Sequence, residues 1–474
     1  MKPGKFMIAA AVLAVGALAG CASTPIAPPN LDIPVGMQTS SVLAGDRWWT
    51  AFNDPSLDKL VDEAVAHNLD LAAAITRVDY ARSQVLFAQA DLYPSVDLAA
   101  DASRSRSTQS GTNPLPPGFS PINQDFRVGL QASYELDLWG KYRNATRAAR
   151  ADLLASEYAR ETVRTVVAAQ TAQAYFGLVA ADAQLALLQD TLKSRDASLD
   201  LQRDRRQAGV IGDFEFHTSE AERAAVAGDI ATAKRAVVEY ESALAVLAGR
   251  SPRDVFTPQI ERDRAVKAFT SVPQIPAGLT SDLLQRRPDI QQTEAQLAAA
   301  NLRIDVARAD YFPAISLTGV FGSEAGLLKN LFTGPAAIWS IGASLAQPLI
   351  GLKAIEANVD AQTARRNEVV INYTKAVQGA FKDAHDALSA NETTREALAA
   401  QTERALRLSA SLELSDLRYK SGYSPYLEVL DSQRQLLQAQ TLQIIAARNA
   451  RLALVDLAKA LGGGWDYPNA VAHR

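Results

Sequence analysis

The sequence predicts a mainly helical chain that carries its own membrane-spanning β-strands, and three observations predict it. A helix-to-strand transition is written twice, as "ADLYPSVDLAA" from Ala90 and as "ADYFPAISLTG" from Ala309. Two long stretches, from about Tyr142 to Arg206 and from about Lys353 to Lys420, contain no Pro and read as single helices. Beyond residue 20 no apolar run reaches the ~20 residues of a transmembrane helix, so a membrane crossing falls to strands in a closed barrel.

The chain opens with Lys2 and Lys5, an apolar run from Phe6 to Ala19, and "LAGC" ending at Cys21. The run has the length of a signal-peptide core. Leu18-Ala19-Gly20-Cys21 resembles a bacterial lipoprotein signal, which implies cleavage before Cys21 and lipid on that residue. Ala22 follows where an Asp would retain the product at the inner membrane, so outer-membrane delivery is expected. Residues 1–20 are thus read as signal peptide and 21–55 as a lipidated segment. With a single Cys in 474 residues the mature chain has no disulfide framework and no thiolate metal site. Charge is nearly balanced, 48 Lys+Arg against 52 Asp+Glu, without a long basic tract, which argues against a nucleic-acid partner.

The remainder is a tandem duplication. Pro94 is echoed by Pro313, Gly209 by Gly422, and "ALAVLAG" ending at Gly249 by "LAKALGG" ending at Gly463. The first repeat covers 56–249 and the second 280–461, with a linker at 250–279 and a tail at 462–474. In the first repeat, Leu57 to Asp91 reads as one helix capped by Asp54 or Ser56. A β-hairpin follows over 94–138, with an irregular tip rich in Gly, Pro and Asn. In its return strand Phe126, Val128, Leu130, Ala132, Tyr134, Leu136 and Leu138 alternate with polar residues, which is the period of a strand with one apolar face. The second hairpin, over 313–349, alternates through Ile315, Leu317, Gly319 and Phe321 and returns through Trp339, Ile341, Ala343 and Leu345. At each start a Pro lacks an N–H and disfavours helix in the residue before it, so the helix stops at Pro94 and Pro313.

The long helices, at ~65 residues, would extend ~100 Å. Leu178, Leu185, Leu192 and Leu199 recur every seven residues, as do Leu398, Ala405, Leu412 and Tyr419, a spacing that winds helices around their neighbours. Four strands cannot close a barrel, and about eight make the smallest one. A membrane reading therefore requires several copies of the chain, and a symmetric ring satisfies sheets and helices together.

The segment "LLQRRPDIQQTEAQLAAANLRIDVARADYFPAISL" from Leu283, with "DRWWTAFNDPSLDKLVDEAVAHNLDL", "RYKSGYSPYLEVLDSQRQLLQAQ" and "LAKALGGGW", resembles the TolC-like outer membrane factors, and within them the lipid-anchored, OprM- and NodT-like branch. The resemblance runs from about Gly45 to Trp465. It implies a trimer with a twelve-stranded β-barrel continued by a twelve-helix periplasmic α-barrel. It also implies a periplasmic adaptor protein and an inner-membrane transporter of the resistance-nodulation-division type as partners, with outer-membrane lipid around the barrel. The function it implies is the exit duct of a tripartite efflux pump, passive and non-enzymatic, with no cofactor beyond the lipid on Cys21. A periplasmic coiled-coil scaffold lipoprotein without a pore is the alternative.

No nucleophile elbow, phosphate loop or His pair at metal spacing is present. The resemblance maps the family's closing aperture onto Tyr419, Glu428 and Asp431, with Leu412 and Asp416 as further constriction candidates. Glu428 and Asp431 are three apart and share a helix face. Around a three-fold axis each carboxylate becomes a ring that attracts cations and repels anions. Two departures stand out: Glu428 where relatives often hold Asp, and Ser424 where some hold a bridging Arg. In the first repeat the equivalents of Tyr419, Asp416 and Asp431 are Arg206, Arg203 and Thr218, so the gate is expected in the second. The turns at Gly209-Val210 and Gly422-Tyr423 are the expected docking tips for the adaptor.

Overall fold

A computed structural model of the chain describes residues 45–108, 118, 120–262 and 286–464. The signal segment, Cys21, most of the linker and the tail from residue 465 lie outside the described residues. A 3-10 turn over Trp48–Phe52 leads into α1 (Pro55–His67) and α2 (Leu69–Ala90), then β1 (Ser95–Arg106) and β2 (Ile122–Glu135). The first repeat continues with α3 (Lys141–Gln207) and α4 (Asp213–Leu247), followed by the short α5 (Pro252–Phe256). The second repeat holds α6 (Pro288–Ala309), β3 (Ala314–Ala325), β4 (Ala337–Ala346), α7 (Leu352–Lys420) and α8 (Tyr426–Ala460). The long helices α3 and α7 have 67 and 69 residues.

The expected single helix from Leu57 to Asp91 is two helices, because Asn68 interrupts it. Its backbone is extended, with φ −61° and ψ 132°. Its side-chain oxygen accepts from Asp70 N at 2.9 Å and Leu71 N at 3.1 Å, the bonding of an N-cap. Its amide donates to the Leu247 carbonyl at 2.9 Å. Ahead of α1, Asp54 is the cap, accepting from Ser56 N and Leu57 N. The return strand also ends earlier than its alternation suggests, at Glu135. Beyond it, Asp137 accepts from Arg143 N at 2.8 Å and Tyr142 N at 3.2 Å and so caps α3.

The chain divides into two compact units. One comprises Asp79–Leu154 and Glu294–Asn372 and contains the sheet. Its strands are all antiparallel in the order β1-β2-β3-β4. Leu98 stands opposite Leu130, Leu130 opposite Phe321, and Phe321 opposite Trp339. Directly opposed residues share a face, so the alternations add up to one apolar face carrying Val96, Leu98, Val128, Leu130, Phe321, Trp339 and Ile341. The other face carries Asp97, Asp101, Asp125, Arg127, Gln131 and Glu324, with Arg127 and Glu324 4.0 Å apart.

Both upward crossings are built alike. Tyr93 N bonds to the Ala90 carbonyl and Phe312 N to that of Ala309, each at 3.1 Å, before Pro94 and Pro313 release the chain into β1 and β3. Trp139 clamps the second crossing: its indole N–H donates to the Pro313 carbonyl at 2.8 Å, and its ring stacks on Phe312 at 4.8 Å.

The other unit comprises the described parts of Asn30–Val78, Ala155–Thr293 and Tyr373–Arg474. Its core gathers Trp48, Trp49, Leu57, Tyr175, Leu178, Leu244, Leu454 and Leu457, all fully buried. The seam of Leu178 and Leu199 is buried, as is Ala405 on α7. Arg287, in the "RRPD" stretch, bonds Asp289 at 2.7 Å and Asp383 at 3.3 Å and donates to the Ala460 carbonyl at 3.4 Å, placing a cation at the carboxyl end of α8. Burial pushes its pKa down, and the hydrogen bonds and charges of Asp289 and Asp383 more than offset this, leaving it raised.

The four helices of this unit that end in turns end alike. Gly209, Gly249, Gly422 and Gly462 have φ of 69°, 65°, 77° and 77°. Each glycine N–H bonds three residues back and the next N–H five back, the Schellman pattern. The equivalent of Gly249 is thus Gly462, one residue earlier than the match of Gly249 with Gly463. Gly249→Ala places a Cβ onto the His67 carbonyl as well as in a left-handed backbone, whereas Gly209 has open space around it. Thermal unfolding is expected to show a loss of about 3 kcal/mol for Gly249→Ala and about 1 kcal/mol for Gly209→Ala.

Candidate functional site

Two places in the chain carry the features a channel needs, and each stands within one unit. The first is the sheet. Its strands have 12, 14, 12 and 10 residues, enough for tilted strands to cross a bilayer, which takes ~9–11. Trp339 and Ile341 are 75% and 84% exposed on the apolar face, an exposure that suits lipid rather than water. No described helix is long and apolar enough to cross a membrane.

The second place is the turn between α7 and α8. The Schellman bonds of Gly422 and Tyr423 close the turn, and Pro425 starts α8 with its fixed φ. Leu412 and Tyr419 on α7 pack against Tyr426, Val429 and Leu430 on α8, and Ser415 bonds Ser432 at 2.9 Å. The expected gate carboxylates are held differently. Asp416 pairs with Lys420 at 2.5 Å, and Glu428 with Arg418 at 3.5 Å. Asp431 accepts from Gln435 at 2.5 Å and has no ion pair among the described residues, though it lies within electrostatic reach of Arg434. Ser424 keeps a buried hydroxyl without a hydrogen-bond partner among the described residues.

Tyr419, expected at the aperture, is joined to a second helix. Its hydroxyl accepts from Gln202 Nε2 at 3.2 Å and from Arg205 Nη1, and the Arg205 guanidinium lies over its ring at 4.9 Å. This ties the end of α7 to the end of α3. Gln202 and Arg205 were not among the residues expected from the sequence, because nothing distinguishes Arg205 from its neighbours Arg203 and Arg206 by spacing. Those two are engaged within the first hairpin: Arg203 pairs with Asp200 at 2.5 Å, and Arg206 with Asp213 at 2.8 Å while lying 4.6 Å over the Phe216 ring. Val210 and Tyr423, at the tips, are exposed.

Further along the same helices the contacts change character. Arg195 is buried and bonds Gln433, with Glu222 at 3.8 Å, and Glu222 also pairs with Arg434. Burial pushes the Arg195 pKa down, against the opposing pull of Glu222. A buried charge that loses its partner costs several kcal/mol, whereas exposed pairs such as Glu428–Arg418 contribute about 0–1 kcal/mol. The tip is thus held by weak bonds below a strongly tied section. Among the described residues no group of His, Cys, Asp or Glu could hold a metal ion.

A sheet apolar on one face and unpaired at both edges among the described residues, in a chain with two helices of nearly seventy residues, defines a subunit of a membrane channel. The chain matches the family described as "Outer membrane efflux protein" twice, over residues 60–250 and 279–463, and it belongs to that family. The probable efflux pump outer membrane protein TtgC of Pseudomonas putida is 34% identical over 465 residues, spanning 94% of this chain and 93% of the relative. The cation efflux system protein CusC of Escherichia coli O157:H7 is 30% identical over 458 residues, 95% of this chain and 97% of the relative. The Campylobacter jejuni CmeC outer membrane channel superposes with a TM-score of 0.85 at 28% identity, covering 93% of this chain and 96% of its own. The open state of the Neisseria gonorrhoeae MtrE outer membrane channel gives 0.80 at 31% identity, covering 94% and 98%. This protein is an outer-membrane, periplasm-spanning efflux channel of the TolC-like type, and its role is transport without catalysis.

Glu222→Ala is expected to leave Arg195 buried without its carboxylate and to lower stability by about 3 kcal/mol. Asp200→Ala, which removes only an exposed partner, is expected to change it by less than about 1 kcal/mol. The two unfolding curves, recorded side by side, check the ranking.

Proposed function

We propose that three copies of this chain close their sheets into one twelve-stranded barrel and form the outer-membrane duct of a tripartite efflux pump. The observation that carries this reading is the sheet, apolar on one face and unpaired along β1 and β4. An edge left open in hydrocarbon leaves a row of backbone groups unsatisfied, at several kcal/mol each. β1 and β4 run in opposite directions, so β4 of one copy can continue the antiparallel alternation onto β1 of the next. Three copies of four strands give the twelve, and α3, α4, α7 and α8 with the shorter helices supply the periplasmic α-barrel. The double family match and the repeated helix-end glycines support the division into repeats at 56–249 and 280–461.

The chain belongs with the lipid-anchored, OprM- and NodT-like branch. Leu18-Ala19-Gly20-Cys21 supports lipid on Cys21, and Ala22 supports outer-membrane retention. Its partners are a periplasmic adaptor, docking at Gly209-Val210 and Gly422-Tyr423, and an inner-membrane transporter of the resistance-nodulation-division type. Relatives matched over a similar span are named for toluene, antibiotic, pyoverdine and cation export. That breadth supports a duct whose cargo is chosen by the transporter.

The gate is the turn of the second repeat. Asp431 and Glu428 face the axis as charge rings, Leu412 and Asp416 narrow the passage above them, and Tyr419 is latched to Arg205 and Gln202. The weakness of each tip bond supports a closure that an adaptor can undo. Native mass spectrometry of the lipidated protein is expected to show three chains, and planar bilayers are expected to show ion conduction. A lone stable subunit would sink the reading. Tyr419→Phe with Arg205→Ala is expected to raise closed-state conductance several-fold, and Asp431→Asn to reduce the preference for cations over anions, read from the reversal potential in a salt gradient. Cys21→Ser is expected to lose the acyl mass and to remain in the uncleaved precursor form.

A further inference from the structure

The β1 strand does not end with its apolar residues. On the face that carries Val96, Leu98, Ala100 and Ala102, the next two residues outward are Arg104 and Arg106, opposite Gln124 and Ile122. Both are exposed. The change from apolar to cationic is abrupt, since Ala102 stands opposite Phe126 and Phe126 opposite Ala325. The carboxylates of the sheet all lie on the other face: Asp97, Asp101, Asp125, Glu135 and Glu324. Arg127, the remaining arginine of the strands, lies with them and approaches Glu324 at 4.0 Å. Arg104 and Arg106 have no such neighbour on their own side, and neither makes an ion pair among the described residues.

The tip of the second hairpin begins at the same level. A Cβ on Gly326 would meet the Gln124 carbonyl at 3.6 Å. The turns over Leu328–Asn330 and Gly334–Ala336 then bury Leu331 and Ala336 while presenting Leu328 and Phe332, the latter 82% exposed, beside Lys329. Apolar side chains next to uncompensated cations are what a bilayer interface selects.

We propose that Arg104 and Arg106 form a binding site for the phosphate groups of the phosphorylated glycolipid of the outer leaflet. The inference rests on the barrel reading, which puts these residues on the lipid side at the outer end of β1. Guanidinium binds phosphate through paired N–H donors and keeps its charge at any physiological pH. The strand holds the two arginines on one side, ~7 Å apart along its axis. The apolar face below them receives acyl chains, so headgroup and chain are engaged together. A free phosphate ion would meet only the two arginines and not that face.

The test compares the lipidated full-length protein with the Arg104→Gln/Arg106→Gln double variant. Each is incubated with rough lipopolysaccharide, with the same glycolipid after phosphatase treatment, and with inorganic phosphate. Native mass spectrometry reads retention and thermal unfolding reads stabilisation. The wild type is expected to retain the phosphorylated glycolipid at least ten-fold better than the double variant and to melt higher in its presence. The dephosphorylated form and inorganic phosphate are expected to do neither. An Arg104→Lys/Arg106→Lys variant is expected to recover part of the retention, which excludes a misfolded strand as the cause of loss. Equal retention by wild type and Gln variant overturns the site, as does a wild type indifferent to the phosphates. A double variant whose oligomer weakens with unchanged glycolipid retention assigns the arginines to contact between copies and also overturns it. Oligomer mass and conductance, measured on the same samples, separate these results from failure of the barrel itself.

Discussion

Everything in this protein's architecture follows from the peptide groups of two edge strands. A strand in water can leave one side unpaired because the solvent accepts its hydrogen bonds, whereas hydrocarbon accepts none. Among the described residues the sheet has four strands, an apolar face and two bare edges. Neither burying the face nor lengthening the strands relieves the edges; in the proposed barrel another chain pairs with them. Duplication makes that pairing possible. Each repeat sends one strand out and brings one back, so the first and last strands point in opposite directions and are complementary without further adjustment.

The helical unit shows a second division, between contacts built to persist and contacts built to be undone. Trp48 and Trp49 are buried together with residues of α1, α3, α4 and α8, and burial of side chains of that size contributes about 2–3 kcal/mol each. Arg195, Glu222, Gln433 and Arg434 tie three helices together through groups whose desolvation makes loss of any partner costly. At the turn of α7 and α8 the ion pairs are exposed and the aromatic contacts few. Local opening takes place where contacts are weakest, so the proposed aperture sits where a partner protein need supply only a few kcal/mol.

The fold was legible wherever the sequence repeats a period. Alternation marked β2, β3 and β4 and correctly grouped their apolar residues, and the absence of Pro marked α3 and α7. Single side chains that capture backbone groups were less visible. Asn68 sits in a run with helical spacing, and only its two bonds to Asp70 N and Leu71 N reveal the break. Asp137 continues the alternation of β2 yet serves as a cap. Likewise α5 stands inside a stretch whose Pro and Gly content marks a linker; Ser251 caps it and Pro252 starts it, a combination legible only in retrospect. At the tip, the residues expected from family resemblance lie together, but their partners Gln202 and Arg205 come from a helix about two hundred residues earlier. No pattern within one helix reports such a pairing.

The two repeats also show what duplication conserves and what it releases. Their turns share one backbone: a left-handed glycine, the same two carbonyl acceptors, and a new helix a few residues on. The side chains have parted. In the first turn Arg206 satisfies itself inside its own hairpin, paired with Asp213 and lying on Phe216. In the second turn Tyr419 rests on Tyr426 and reaches across to Arg205. The side chains of the first turn are satisfied within their own hairpin, while the second turn is joined to the end of α3 through Tyr419. Two hairpins of nearly equal length thus differ at their turns, and in the proposed gate it is the second turn, fastened to the end of α3 through the Tyr419 hydroxyl and ring, that has to be released.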